Sequence, residues 1–375
     1  MAHNSDYGLT MKRRTFLAAA AIGQFLQTEF AQAEPALQAI VKGLDHPWGM
    51  AFLPDGSLLV TERPGRLRRI DLSSGSVGEA ISGTPTVDTG GQGGLLGIAL
   101  DPEFGTNRLI YLAFAEQQRS GNVTAVFRAV LNEDVSSLTD GKVIFRQSLA
   151  AESSRHFGSR LVFDREGMLF VTTGERGYLS KEAQNPASHL GKVLRITREG
   201  QPAPGNPTLA GWAPEVWSIG HRNVQGAALH PKTGELWTVE HGAKGGDELN
   251  KPQSGKNYGW PVITYGVDYS GDKIGEGQTK DGMEQPLHYW DPSIAPSGMA
   301  FLTSDQYPAW KGNLFVCALA GAHIARITLD GETVTGEEKL FEGFARFRDV
   351  VQGPDGKLYV LTDASEPEGG LYVIA

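Results

Sequence analysis

Six times along this chain of 375 residues a short pattern returns: a turn, most often on glycine, then Leu or Met, then an apolar alternation closing on Thr or Val. The clearest copies are Asp55-Gly56 leading to Leu58-Leu59-Val60-Thr61, Glu166-Gly167 leading to Met168-Leu169-Phe170-Val171-Thr172, and Thr233-Gly234 leading to Leu236-Trp237-Thr238-Val239. Lys311-Gly312 before Leu314-Phe315-Val316 and Asp355-Gly356 before Leu358-Tyr359-Val360-Leu361 continue the series, with a looser copy at Gly105 to Tyr111. An Asp-Gly or Thr-Gly turn supplies the positive φ of a tight hairpin, and the runs that follow are rich in β-branched and aromatic residues. Each copy is therefore read as a hairpin. A partner strand precedes several copies, as in Trp48-Gly49-Met50-Ala51-Phe52 and Ser297-Gly298-Met299-Ala300-Phe301, and a second hairpin follows at Gly65 to Asp71 and at Ala325 to Gly331. That makes four strands per unit.

Four-stranded units recurring at roughly fifty to seventy residues indicate blades around an axis rather than a solenoid. The expected fold is all-β: a six-bladed β-propeller of four-stranded antiparallel blades. A β-sandwich is the alternative, but it does not call for the same turn signature six times. The 48 glycines suit a chain with many tight turns. The spacing is widest between the fourth and fifth copies, where the Gly-rich stretch from Tyr265 to Gly282 reads as a long insertion, and long loops collect where function sits.

Residues 1–33 are read separately, as a signal peptide. Met11-Lys12-Arg13-Arg14-Thr15-Phe16-Leu17 is a charged start, a short Ala-rich apolar run follows, and Ala31-Gln32-Ala33 is a cleavage site. The paired arginines resemble a twin-arginine leader, with Lys12 where Ser or Thr is usual. The first ten residues match no part of a signal, which makes Met11 a candidate start. Residues 34–375 are then a single propeller domain, catalytic, exported and soluble in the periplasm. No apolar run reaches the ~18 residues of a membrane span. A net charge of −9, with no Lys/Arg run beyond Arg69, argues against nucleic acid as a partner. The single cysteine, Cys317, sits among apolar neighbours and reads as a buried structural thiol.

Five stretches carry polar chemistry. Gly90-Gly91-Gln92-Gly93-Gly94 precedes a strand and not a helix, so it is no dinucleotide loop; its glycines allow close backbone approach to a flat ligand, and Gln92 offers both a donor and an acceptor. Arg155-His156-Phe157-Gly158 places an imidazole ahead of the third hairpin, where it can accept a proton. His189, His221, His230, His241 and His323 are rivals on residue type alone, and no His-Glu-x-x-His spacing for zinc is present. His221-Arg222-Asn223 is a dense polar cluster between apolar runs, costly to bury without a partner; Arg222 suits adjacent carboxylate or carbonyl oxygens. The loop from Glu240 to Asn250 offers carbonyls and carboxylates to a hard cation, whereas Asp268 to Lys273 resembles an EF-hand only faintly. Arg346 and Arg348 fall on one side of a strand and want an anion, a surface ladder with Asp349 being the plain alternative.

Taken in order, these stretches resemble the glucose/sorbosone dehydrogenases, the soluble family dependent on pyrroloquinoline quinone (PQQ), and in particular its aldose sugar dehydrogenase branch. The likeness runs from about His46 to the C-terminus and includes His46-Pro47-Trp48-Gly49, Asn185 to Lys192, and Lys256-Asn257-Tyr258-Gly259-Trp260-Pro261. The resemblance implies His156 as general base in the oxidation of an aldose to its lactone. It implies Gln92, Arg222, Asn223, Arg346 and Arg348 as contacts of PQQ, with Arg222 also stabilising charge during the reaction. It further implies the Gly242 and Ala243 carbonyls as ligands of a cofactor-bound calcium. The partners are then a small-molecule aldose and an external electron acceptor.

Three positions depart from the glucose branch: Ala320 stands where a cofactor-contacting lysine is expected, Ala243 replaces a proline, and Arg155 replaces an acid before the base. Two other readings stay open. A calcium-dependent propeller lactonase would need converging carboxylates and has no use for paired arginines; a non-catalytic sugar-binding propeller would keep the scaffold alone.

Overall fold

The computed structural model describes residues 35–375, so the leader expected over residues 1–33 lies outside the described residues. The chain opens on β1 (Leu37–Leu44). Blade one follows with β2 (Pro47–Phe52), β3 (Leu58–Glu62), β4 (Arg66–Asp71) and β5 (Ser76–Ala80), and blade two with β6 (Leu95–Leu100), β7 (Leu109–Gln118), β8 (Gly121–Leu131) and β9 (Leu138–Arg146). Blade three holds β10 (Leu161–Phe163), β11 (Leu169–Thr172), β12 (Lys192–Ile196) and β13 (Val216–Ile219); blade four β14 (Val224–Leu229), β15 (Leu236–Glu240), β16 (Asp247–Asn250) and β17 (His288–Trp290). Blade five holds β18 (Pro296–Phe301), β19 (Leu314–Ala318), β20 (His323–Asp330) and β21 (Thr333–Leu340); blade six has β22 (Phe347–Gln352), β23 (Leu358–Thr362) and β24 (Gly369–Ile374). Each blade is an antiparallel sheet in chain order, and blade six takes β1 as its fourth, outer strand, with Leu37 paired to Ile374. The inner strands β2, β6, β10, β14, β18 and β22 touch in that cyclic order, β22 returning to β2. The fold is the expected six-bladed β-propeller.

The repeated run forms the second strand of each blade, and its residues alternate between the two neighbouring blades. Leu58 and Val60 pack toward Leu361 and Leu371 of blade six, while Leu59 packs toward Leu112 and Phe114 of blade two. In blade five, Leu314 and Val316 meet Trp237 and Val239, while Phe315 and Cys317 meet Phe347 and Val360. A strand covered on both faces reads as a continuous apolar run; hence β3, β15, β19 and β23 are buried throughout, whereas the outer β5 and β21 are mostly exposed. Burying each such Leu or Val contributes about 2 kcal/mol. Cys317 is a free, buried thiol in one of these seams. The loosest sequence copy turns through a single helical turn, α1 (Phe104–Asn107), in place of a glycine hairpin.

Three residues before the last pair of each first hairpin stand Gly49, Gly97, Arg160, Gly226, Gly298 and Asp349. A Cβ on Gly97, Gly226 or Gly298 would collide with Ser159, Ser297 or Asp349 of the next blade, so the inner strands approach too closely for side chains there. The two exceptions lie on opposite blades, three and six: Arg160 and Asp349 are buried and form an ion pair of 3.1 Å across the axis. The Arg160 guanidinium also lies 4.5 Å from the Trp48 ring. Trp48, Arg160 and Asp349 thus form a buried network that joins three blades. The long connection between β16 and β17, residues 251–287, brings Trp260, Asp268, Tyr269 and Ile274 to the mouth, as the insertion expected at Tyr265 to Gly282 suggested. Among the described residues no helix is long and apolar enough to cross a membrane.

Candidate active site

His156 sits in the segment that enters blade three, and its backbone is left-handed at φ 52°. Such a conformation costs a non-glycine residue of order 1 kcal/mol or more and persists only where neighbours hold it. Here the main holder is Arg176, itself at φ 69° and fully buried. Its guanidinium donates to the carbonyls of Arg155 (2.6 Å) and Ser153 (2.7 Å) and to Asn122 Oδ1, and it lies 3.5 Å from the Phe157 ring. Burial brings its pKa down to about 10, leaving it charged at neutral pH. Gln92 Oε1 accepts the His156 backbone N–H at 2.8 Å. Arg63 grips the same loop from below, donating to the carbonyls of Gly91 and Gly93 on either side of Gln92.

The imidazole is oriented by Glu175, whose Oε1 is 2.7 Å from Nδ1 while Oε2 accepts the Gly177 N–H at 3.0 Å. A carboxylate at Nδ1 fixes the proton there and leaves the lone pair on Nε2, which makes no hydrogen bond among the described residues. Burial pushes the His156 pKa below its usual value; the Glu175 hydrogen bond opposes this, and the nearby Arg222 charge adds to the lowering. The result is a neutral imidazole with an available base at the wall of a cavity of about 360 Å³. Gln92, Arg155, Arg222, Ala243 and Trp260 share that wall.

Arg222 is placed by Glu240, whose Oε2 accepts its backbone N–H at 2.6 Å. Its NH1 donates to the Gly242 carbonyl, and the guanidinium lies 5.2 Å from the Trp260 ring. Asn223 Oδ1 accepts the Gly158 N–H at 3.1 Å. Arg348 donates to Gln225 Oε1 at 2.9 Å and Asp363 Oδ2 at 2.8 Å. Arg346 stands at the rim, half exposed and 3.7 Å from the same carboxylate, which also meets His46 Nδ1 at 2.9 Å. Burial alone would raise the Asp363 carboxyl, but Arg348, His46 and Arg346 outweigh it and hold it well below the usual range. Despite these contacts, Nε of Arg222, Nδ2 of Asn223 and Nε of Arg348 are buried donors without a partner. Unpaired buried donors are costly, and of the three residues Arg222 lines the cavity, while Asn223 and Arg348 lie buried.

The fit to a cation is looser. Gly242 and Ala243 form a turn so tight that a Cβ on Gly242 would collide with Gly245 and Gly246, and Asp247 Oδ1 accepts the Gly242 N–H at 2.7 Å. The Gly242 carbonyl already accepts from Arg222, and no group of three or more His, Cys, Asp or Glu suited to a metal occurs among the described residues. Calcium takes six to eight oxygens, so here it would draw on backbone carbonyls, water and the ligand. Ala243 and Tyr269 also border a second hollow of about 490 Å³, lined by His241, Gly242 and Ala320, where a lysine would have projected.

Of the residues singled out in the sequence, Gln92, His156, Arg222 and Ala243 line one cavity, Gly242 lines the adjoining hollow, Asn223 and Arg348 are buried beside them, and Arg346 lies at the edge. None of the rival histidines lines the cavity of His156, although His241 lines the adjoining hollow. His189 and His221 have both nitrogens bonded, His230 stacks on Trp237, His241 contacts the Pro296 carbonyl, and His323 contacts the Gly321 carbonyl. Glu175, Arg176 and Arg63 were not singled out. One signal for Glu175 was available: an acid ends or follows the second strand in four blades, as Glu62, Glu175, Glu240 and Asp363. Each binds the segment entering its own or the next blade.

Comparison with known proteins identifies the family. The family described as Glucose / Sorbosone dehydrogenase matches residues 44–373. The aldose sugar dehydrogenase YliI of Escherichia coli is 43% identical over 345 residues, covering 90% of this chain and 92% of that protein. A crystal structure of a glucose dehydrogenase superposes with a TM-score of 0.87 at 46% identity, covering 91% of this chain and 99% of the other. The PQQ-bound aldose sugar dehydrogenase of Streptomyces coelicolor superposes with a TM-score of 0.76 at 31% identity, covering 92% and 98%.

Proposed function

The chain belongs to the glucose/sorbosone dehydrogenase family, and from that premise we propose that it is a quinoprotein that oxidises aldoses at the anomeric carbon to lactones. The observation that carries the reading is an oriented imidazole, Nδ1 on Glu175 and Nε2 without a partner among the described residues, sharing one cavity wall with Gln92 and Arg222. Gln92, Arg222, Asn223, Arg346 and Arg348 would hold PQQ, and the Gly242 and Ala243 carbonyls its calcium. When bound, the pair supplies the acceptor for the hydrogen and two electrons that leave the sugar, with the cation polarising it. His156 Nε2 takes the proton of the anomeric hydroxyl, and Glu175 stabilises the imidazolium so formed. Arg222, fixed by Glu240 and Trp260, directs a guanidinium at the negative charge that builds beside it.

We also propose that residues 1–33 direct export, so that the enzyme works in the periplasm and passes electrons to an external acceptor. The central test adds PQQ and calcium, singly and together, to purified apoprotein and follows reduction of an artificial dye with a panel of aldoses. Dye reduction requiring both additions is the expected result; lactone hydrolysis with calcium alone would select the lactonase reading instead.

A further inference from the structure

Beside the base stands a cation that no described residue neutralises. Arg155 is exposed, lines the same cavity as His156 and makes no ion pair among the described residues. The two carboxylates of that cavity are occupied: Glu175 by His156 and the Gly177 N–H, Asp268 by the N–H and hydroxyl of Ser270. An unpaired surface arginine is ordinarily just solvated, but this one is seated. Its carbonyl is held by Arg176 at 2.6 Å and its N–H by Ser153 Oγ at 3.2 Å. Its stem lies along Gly177, where an added Cβ would stand 3.6 Å from both Cβ and Cδ of Arg155; Gly177 has φ 85° and so favours glycine. The backbone grip that fixes the base therefore fixes the origin of this side chain too.

Resting on the aldose reading above, we propose that Arg155 is a specificity residue and that the preferred substrate class is aldoses bearing a carboxylate, the aldohexuronic acids being the simplest. With the anomeric hydroxyl at His156, the guanidinium of Arg155 faces the same cavity, and a sugar carboxylate that reaches it is taken through two parallel N–H bonds. A neutral hexose gives it only hydroxyls.

The test measures kcat/KM of the PQQ- and calcium-loaded enzyme for glucuronic acid, glucose and glucose 6-phosphate, and takes ratios within each preparation so that differences in folded fraction cancel. The wild type is expected to favour glucuronic acid over glucose by about tenfold at low salt, as charge-assisted pairing allows, and by less as ionic strength rises. Arg155→Gln should bring the ratio toward one, and Arg155→Glu should take it below one. A ratio indifferent to R155E or to salt overturns the inference, and a stronger preference for glucose 6-phosphate overturns the assignment to a carboxylate. Neutral aldoses turned over with a flat charge ratio would leave the dehydrogenase reading intact; no quinone-dependent turnover of any aldose would remove both.

Discussion

Blades three and four each set a histidine against a glutamate nineteen residues downstream, His156 on Glu175 at 2.7 Å and His221 on Glu240 at 2.8 Å. In both, the hairpin returns the end of its second strand to the segment that enters the blade. The fates differ at the other nitrogen. His221 Nε2 meets Ser218 Oγ at 2.9 Å, its ring stacks on Tyr258 at 4.9 Å, and the residue is 0% exposed. His156 is 6% exposed, and its Nε2 has no such partner. One local arrangement thus gives a brace in blade four and a base in blade three, and the closed or open second nitrogen decides which.

The comparison breaks most visibly by exchanging the roles. His156→Gln should lower kcat by about 10³-fold, within the range of a lost general base, while quinone binding measured by absorbance titration stays near wild type; because it strips the buried Glu175 of its partner, it should also cost about 3 kcal/mol in urea unfolding. His221→Gln should show the stability loss alone: it strips the buried Glu240 of its partner and should cost about 3 kcal/mol as well, with kcat per folded molecule retained. A His221 variant that is stable and inactive would end the distinction. Next in size, Glu175→Gln should reduce kcat by about 10²-fold through loss of the tautomer lock, whereas Glu240→Gln, whose amide oxygen can still accept the Arg222 N–H, should be read mainly in stability.

A pH profile sharpens the same contrast. Burial and Arg222 disfavour the His156 imidazolium, so the base form persists below the usual 6.5 and the acid limb of kcat/KM should lie on the acid side of that value. Glu175→Gln removes the group that favours the charged form and should move the limb lower still. Glu240→Gln should leave the limb in place; a shift there as large as that of Glu175→Gln would mean that the two pairs titrate as one. The smallest effect belongs to Tyr258→Leu, expected to cost about 1 kcal/mol from the lost stacking on His221 with no change in the profile.

How much of this was open to reading follows from the range of each interaction. The blades were legible because a hairpin is local: Asp55-Gly56 and Leu58 to Thr61 declare turn and strand within eight residues. The polar stretches around Gln92, His156, Arg222 and Arg348 stood out because such groups between apolar runs need partners. Which histidine acts did not follow from residue type; it required seeing that His189 and His221 are closed on both sides. Arg176 was not singled out, because nothing in its sequence neighbourhood marks it, and only the fold shows it buried against Phe157 and residues 153–155. Arg160 and Asp349 are 189 positions apart, and nothing short of the closed ring places them on facing blades.

The pairing of Leu37 with Ile374 makes the molecule a circle in all but covalent connection. Synthesis from one end leaves the sixth sheet open until β24 emerges, since β1 waits for it. Removing β24 would expose the edges of β1 and β23 at once, ready to pair with another copy. Conversely, a version with β24 joined to β1 by a linker and the chain opened between β21 and β22 keeps every described sheet whole, and should still close.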